Sequence, residues 1–269
     1  MNRITTVFEN LRRAGQTALM PYVTMGYPRR ESSLALVPTL VETGADLIEL
    51  GIPFSDPLAD GATIQAAAQQ ALTNGMTLSL CLEQAVVLRD RGVTVPFVFM
   101  GYYNPIFQMG AERFARRAAA AGVDGVIVPD LPPEESDSLR SALGAQGVDL
   151  IFLLPPTSDN GRLQIVTERT SGFLYLVSLT GVTGARDQLS PDLESFVARV
   201  RSATGLPLAV GFGISTPAQA AQVARIADGV IVGSALIKAI GGSEDPVAAA
   251  RTFVAGLRAG IDGCELGVE

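Results

Sequence analysis

Apolar positions in this chain fall into short β-rich runs, each separated from the next by an Ala-, Arg- and Glu-containing stretch of helical length. The pattern predicts eight strands, over residues 19–24, 46–50, 96–100, 125–129, 149–153, 173–178, 207–210 and 229–232. Helical signals fill the gaps at 34–41, 77–89, 111–121, 134–143, 160–168, 191–200, 217–224 and 246–257. Ser190 before Pro191 and Thr216 before Pro217 read as helix starts, since proline suits a first helical turn. Gly44, Gly92, Gly122 and Gly147 read as helix ends, where a left-handed residue is needed.

Strict βα alternation without a linker argues for a parallel sheet covered by helices. The chain has 269 residues, near the roughly 250 that eight such units need when closed into a ring. No dinucleotide-binding glycine fingerprint follows the first strand, which disfavours an open doubly wound sheet. The expected fold is therefore α/β, a single (β/α)8 TIM barrel over residues 1–269 with an additional N-terminal helix.

Composition narrows the chemistry. Lys+Arg 20 against Asp+Glu 27 leaves a net charge of −7, which disfavours nucleic acid as a partner. There is no histidine and there are two cysteines, Cys81 and Cys264. Zinc sites built on histidine and cysteine, and Ser-His-Asp or Cys-His catalysis, are thereby excluded within one chain. No uncharged apolar run reaches the roughly 18 residues of a membrane helix, so no membrane is expected. The sparse cysteines, and a start with Glu9 and three arginines before residue 14, point to a reducing cytoplasm.

In a barrel of this kind, chemistry sits at the C-terminal ends of the strands. Along Asp46-Leu47-Ile48-Glu49-Leu50-Gly51, residues 47, 49 and 51 share one face and 48 and 50 the other. With Ile48 and Leu50 against the helices, Glu49 points into the barrel, where desolvation favours its protonated form. A solvated strand-end glutamate is the other reading. The following loop carries Asp56 and Asp60 among Pro53, Pro57 and Gly61. Either aspartate fits a turn former, a Mg2+ ligand or, in company with Glu49, a proton-transfer group.

Three glycine-containing loops follow the last three predicted strands: Thr180-Gly181-Val182-Thr183-Gly184, Gly211-Phe212-Gly213-Ile214-Ser215 and Gly233-Ser234-Ala235. Backbone amides converging there, with a helix N-terminus behind them, would hold a phosphate without lysine; the other reading is that these glycines only shape βα turns. The sole lysine, Lys238, lies several residues past the eighth strand and is expected to face solvent, which leaves no amine for a Schiff base. Glu49 and Asp60 are then left to move protons directly. Tyr175 of the sixth predicted strand reads equally as an orienting group or as a core ring.

The stretch Leu47-Ile48-Glu49-Leu50-Gly51-Ile52-Pro53-Phe54-Ser55-Asp56-Pro57-Leu58-Ala59-Asp60-Gly61 resembles the signature of the tryptophan synthase α subunit family. The likeness continues through Tyr103-Asn104-Pro105-Ile106, through Ala121 to Pro132, and through Pro156-Thr157-Ser158 and the three glycine loops. It implies retro-aldol cleavage of indole-3-glycerol phosphate to indole and glyceraldehyde 3-phosphate. It further implies Glu49 as the group that protonates indole C3 and takes the glycerol hydroxyl proton, Asp60 at indole N1, and Tyr175 placing Glu49. Ile64, Tyr102, Thr183 and Phe212 would line the pocket, and the amides of Gly184, Gly213, Gly233 and Ser234 would hold the phosphate.

The resemblance also implies a β subunit carrying pyridoxal phosphate, in an α2β2 heterotetramer, and so no cofactor and no metal on this chain. The loops 53–60 and 104–107 would face that partner. Thr24-Met25-Gly26-Tyr27-Pro28, Gly61-Ala62-Thr63 and Leu179-Thr180 depart from frequent family spellings, the last in the loop whose closure the family uses. Three alternatives stand beside this reading: a stand-alone lyase releasing free indole, a non-catalytic phosphate-binding barrel that activates a partner, and a Mg2+ enzyme using Asp56 and Asp60.

Overall fold

The computed structural model describes residues 2–178, 192–211 and 213–263. Its parallel strands are β1 (Ala18–Thr24), β2 (Ile48–Gly51), β3 (Phe97–Met100), β4 (Gly125–Ile127), β5 (Asp149–Ile151), β6 (Leu153–Leu154), β7 (Leu174–Val177), β8 (Leu208–Gly211) and β9 (Gly229–Val232). They run in the order β5-β4-β3-β2-β1-β9-β8-β7-β6. β5 and β6 are halves of one run separated only by Phe152; the first pairs with β4 and the second with β7, which closes the barrel. The single predicted strand 149–153 is this interrupted run.

Alternation along each strand divides the apolar residues into two cores. Ala18, Met20 and Tyr22 of β1, Leu47 before β2, Val98 and Met100 of β3, and Tyr175 of β7 fill the barrel interior. Leu19, Val23, Ile48, Leu50, Phe97 and Phe99 pack outward against the helices. Ile48 and Leu50 thus face the helices, and Glu49 faces the interior, as the period-2 pattern requires.

The N-terminal helix Arg3–Ala14 closes the bottom of the barrel. Ile4, Val7, Phe8 and Leu11 recur at helical spacing and face the inner core, where Phe8 lies 5.7 Å from the ring of Phe173. Gly125 makes room for Ile4, since an added Cβ would come within 2.9 Å of Ile4 Cδ1.

Three aspartates tie the same end together. Asp46, Asp124 and Asp228 accept the N–H of Leu19, Phe97 and Leu208 at 2.8, 2.9 and 2.7 Å. Each stands just before a strand and binds the first residues of the strand that precedes it, with Arg258, Arg89 or Arg201 as counter-ion. The acidic residues at the bottom therefore serve the ladder, and the chemistry is left to the opposite mouth.

Gly44, Gly92, Gly122 and Gly147 all take positive φ, and Thr216 forms a capping box with Gln219. The predicted start at Ser190-Pro191 lies outside the described residues; the helix there runs Leu193–Arg201. The predicted helix 134–143 is broken at Ser136, between the 3-10 turn Pro133–Glu135 and the helix Asp137–Gly144. Helices Ala62–Thr73, Tyr103–Met109 and Ser234–Gly241 were absent from the periodic pattern. The segment 104–107, expected as a loop, lies within the second of these, because Gly110 rather than Pro105 ends that turn. Pro105 is tolerated near its start, where no intrahelical N–H is needed. Among the described residues, no single helix is long and apolar enough to cross a membrane.

Candidate active site

Glu49 is 2% exposed and projects from β2 into the C-terminal mouth. Its Oε2 is buried without a hydrogen-bond partner. Burial raises its pKa to about 8, and the charge of Asp60 pushes the same way. Near neutral pH the side chain is a neutral acid with a proton to give.

Asp60 stands at the end of the loop after β2, just before the helix Ala62–Thr73. Burial raises its pKa to about 6, while a hydrogen bond from Tyr102 opposes the rise. The two carboxyls are thus driven apart, one protonated and one ionised at pH 7, the condition for assigning separate acid and anion roles.

Tyr102 does more than line the pocket. Its oxygen accepts the N–H of Ala59 at 3.0 Å, and its ring stacks on Phe54 with centroids 5.2 Å apart. The loop is thereby fastened to the end of β3. Gln65 Nε2 donates to the carbonyl of Asp60 at 2.8 Å and fixes the backbone beneath the carboxylate. Ile64, in the first turn of the same helix, packs against the inner core. Asp56 is exposed and takes a hydrogen bond from the Ser55 hydroxyl at 2.5 Å, which makes it a turn residue.

Tyr175 and Tyr22 complete the wall. Both are buried; burial first, and then chiefly the charge of Glu49 for Tyr175 and that of Asp60 for Tyr22, push their phenols well above the ordinary value. Their hydroxyls sit in notches left by glycine. An added Cβ at Gly211 would lie 2.2 Å from the Tyr175 oxygen, and one at Gly51 2.0 Å from that of Tyr22. Gly211, read from sequence as part of a phosphate-holding loop, and Gly51 are needed to admit these rings. Tyr22 was missed; the alternation Ala18, Met20, Tyr22, continued from a strand adjacent to Glu49, carried the signal.

Beyond the ends of β8 and β9, Gly213 has φ +79° and is exposed. Gly233 caps the helix Ser234–Gly241, and the first intrahelical bond there is Ile237 N–H to Gly233 O at 3.0 Å. The amides of Ser234 and Ala235 precede that bond and point out of the helix start, a geometry that suits an anion. By contrast, Gln219 Oε1 takes the amides of Ser215 and Thr216 at 2.8 and 3.2 Å, which removes them from any ligand. Lys238 is exposed further along the helix. Thr183, Gly184 and Phe212 lie outside the described residues, as do Leu179, Thr180 and Cys264. Cys81 is buried in the outer core, where burial pushes its thiol up and leaves it a packing residue.

A closed parallel barrel with a buried acid, a second carboxylate and helix-start amides around one mouth has the architecture of a (β/α)8 barrel enzyme. Residues 8–260 match the family model described as tryptophan synthase alpha chain. The alpha chain of Chloroflexus aurantiacus is 53% identical over 263 residues, covering 97% of this chain and 99% of that one. That of Roseiflexus castenholzii is 55% identical over 260 residues, covering 96% and 100%. Among solved structures, tryptophan synthase subunit alpha from Legionella pneumophila aligns with a TM-score of 0.91 at 39% identity, covering 98% of this chain and 99% of that one. A chain of Mycobacterium tuberculosis tryptophan synthase aligns at 0.89 and 39%, covering 97% and 98%. The chain belongs to the tryptophan synthase alpha chain family.

Proposed function

We propose that this chain cleaves indole-3-glycerol phosphate into indole and glyceraldehyde 3-phosphate, with Glu49 and Asp60 as the proton-handling pair. Family membership supports the lyase reaction. The observation that carries the residue roles is the opposed protonation of two carboxyls in one pocket, Glu49 near 8 and Asp60 near 6.

Glu49 protonates indole C3, which makes that carbon tetrahedral and the ring an electron sink. Asp60, ionised, stabilises the positive charge that then develops at the N1–H. The Glu49 carboxylate takes the proton of the glycerol hydroxyl while the C3–carbon bond breaks and its electron pair returns to the ring. Glu49 ends the cycle protonated, as it began. Tyr102 holds Asp60, and Tyr175 shapes the pocket beside Glu49. Ile64 borders the indole. Gly213, Gly233 and Ser234 contribute phosphate-facing amides, and Thr183, Phe212 and Gly184 complete the set from positions outside the described residues.

The natural partner on this reading is a β subunit that carries pyridoxal phosphate, in an α2β2 heterotetramer located in the cytoplasm. Support for the docking face comes from two large apolar side chains near the active mouth, Leu58 at 87% and Phe107 at 62% exposure. Side chains of that size are unfavourable in water and suited to an interface. The test is release of indole from indole-3-glycerol phosphate, assayed with and without added β subunit and in the presence of EDTA. Cleavage that survives EDTA and rises with the partner is the expected result; no cleavage in either condition refutes the reading.

A further inference from the structure

We propose that Tyr27 is a positioning residue for substrate binding: its ring braces the far end of the helix Ser234–Gly241 and so sets where the amides at the start of that helix stand. The inference rests on the reading of those amides as the phosphate site.

Tyr27 belongs to the stretch Thr24–Pro28, whose departure from frequent family spellings the catalytic roles leave unexplained. It lies in the loop after β1 and packs against both the inner and the outer core. That loop has little freedom. Asn74, at the end of the helix Ala62–Thr73, donates its side-chain N–H groups to the carbonyls of Gly26 and Pro28 at 2.8 and 3.0 Å, one on each side of Tyr27. The Tyr27 N–H donates to the carbonyl of Thr24 at 3.1 Å. Gly26 has φ +88°, and a Cβ added there would lie 2.9 Å from Met76 Cβ, so the chain turns tightly against the residues that follow the same helix.

The ring held in this way meets bare backbone. A Cβ built at Gly241 would lie 2.0 Å from the Tyr27 hydroxyl oxygen and 3.1 Å from Cζ. Gly241 lies within the helix, and its φ is outside the left-handed region. Glycine in a helix costs about 1 kcal/mol relative to alanine, so the backbone gains nothing from it here; the gain is the space for Tyr27. Leu236, Ile237 and Ile240 bury one face of this helix. Packed helices shear past one another by small amounts, and a hydroxyl pressed on the last turn sets a stop to such movement. Gly241 and Ser234 are about 10 Å apart along the axis, and the hydrogen-bonded turns between them move together. A displacement at the braced end therefore reaches the amides. The two helices that Tyr27 connects begin at the two halves of the site: Ala62–Thr73 follows Asp60 directly, and Ser234–Gly241 opens with the phosphate-facing amides. Tyr27 thereby fixes the spacing between the groups that receive the indole and those that receive the phosphate.

The test is the affinity of the full chain for glycerol 3-phosphate, which carries the phosphate end of the substrate without the indole, together with kcat and KM for indole-3-glycerol phosphate cleavage. Gly241→Ala fills the notch, and its methyl clears the hydroxyl only if the helix end shifts by about 1 Å. The expected result is a Kd for glycerol 3-phosphate and a KM each raised by about tenfold, with kcat within about twofold of wild type. Adding Tyr27→Phe removes the atom in conflict and should recover most of the loss. Unchanged Kd and KM in Gly241→Ala, or a loss that Tyr27→Phe leaves in place, overturns the proposal. Should circular dichroism find Gly241→Ala unfolded, Tyr27→Ala, which takes the brace away, decides alone; unchanged Kd and KM there overturn it too. Ser234→Asp tests the underlying reading, since its carboxylate suits a helix start but repels a phosphate. Undiminished glycerol 3-phosphate binding in Ser234→Asp sinks the phosphate site itself; weakened binding there with an indifferent Gly241→Ala sinks only the role of Tyr27.

Discussion

Replacing Glu49 with glutamine removes one proton-binding group from the barrel interior while leaving its volume nearly unchanged. The folded chain binds this proton with a pKa of about 8, against an ordinary value of 4.5. Stability linked to the proton is therefore present in full below about pH 4.5 and is lost as pH rises through about 8. Between pH 5 and pH 8.5 this loss amounts to about 4 kcal/mol of unfolding free energy, because a proton held by the folded chain and not by the unfolded one is worth about 1.4 kcal/mol for each pH unit crossed. Glutamine has no such dependence.

Urea unfolding of wild type and Glu49→Gln at both pH values yields a double difference in which other titrating groups cancel, Asp60 included. We expect wild type to lose about 4 kcal/mol more than the variant over this interval, with slope m unchanged. The same variant should show no indole release while retaining affinity for indole-3-glycerol phosphate. A double difference below about 1 kcal/mol would mean that Glu49 is solvated in the folded protein. The acid role would then lose its physical basis.

The pH profile of kcat/KM should be bell-shaped, falling below about 6 as Asp60 is protonated and above about 8 as Glu49 ionises. Asp60→Asn should lower kcat by about 10²-fold or more and remove the acidic limb, which a rate–pH series reads directly. Gly211→Ala sets a methyl 2.2 Å from the Tyr175 hydroxyl; a cost of about 1–3 kcal/mol in thermal or urea unfolding and a displaced Tyr175 are expected. Phe107→Asp should weaken binding of the β subunit by at least tenfold in titration calorimetry and leave cleavage by the isolated chain unchanged, since Phe107 is exposed on the helix Tyr103–Met109, outside the acid pocket.

Much of this molecule is legible in its residue order. The run Leu47-Ile48-Glu49-Leu50 carries its own alternation, so two aliphatic residues that must meet helices dictate an inward glutamate. The helix-ending glycines and the Thr216 cap are equally local, being set by φ and by side-chain reach over three residues. The helix Ala62–Thr73 is harder to see because its alanine and glutamine residues give little contrast between buried and exposed faces. The helix Ser234–Gly241 is only about two turns long and follows a glycine, so it is easily taken for a loop.

Periodicity and motif spacing by themselves determined the βα order, the direction of Glu49 and the chemistry open to a chain without histidine, because these depend on residue type and on nearest neighbours along the backbone. Strand pairing and side-chain packing decided the rest. The register sets Tyr22 of β1 beside Glu49 of β2, and packing sets the Tyr175 hydroxyl of β7 against Gly211 of β8. Only the closed mouth excludes enough water to hold Glu49 neutral while Tyr102 keeps Asp60 an anion. Desolvation and hydrogen-bond supply are properties of a surrounding volume, and that volume is assembled from residues far apart in the chain.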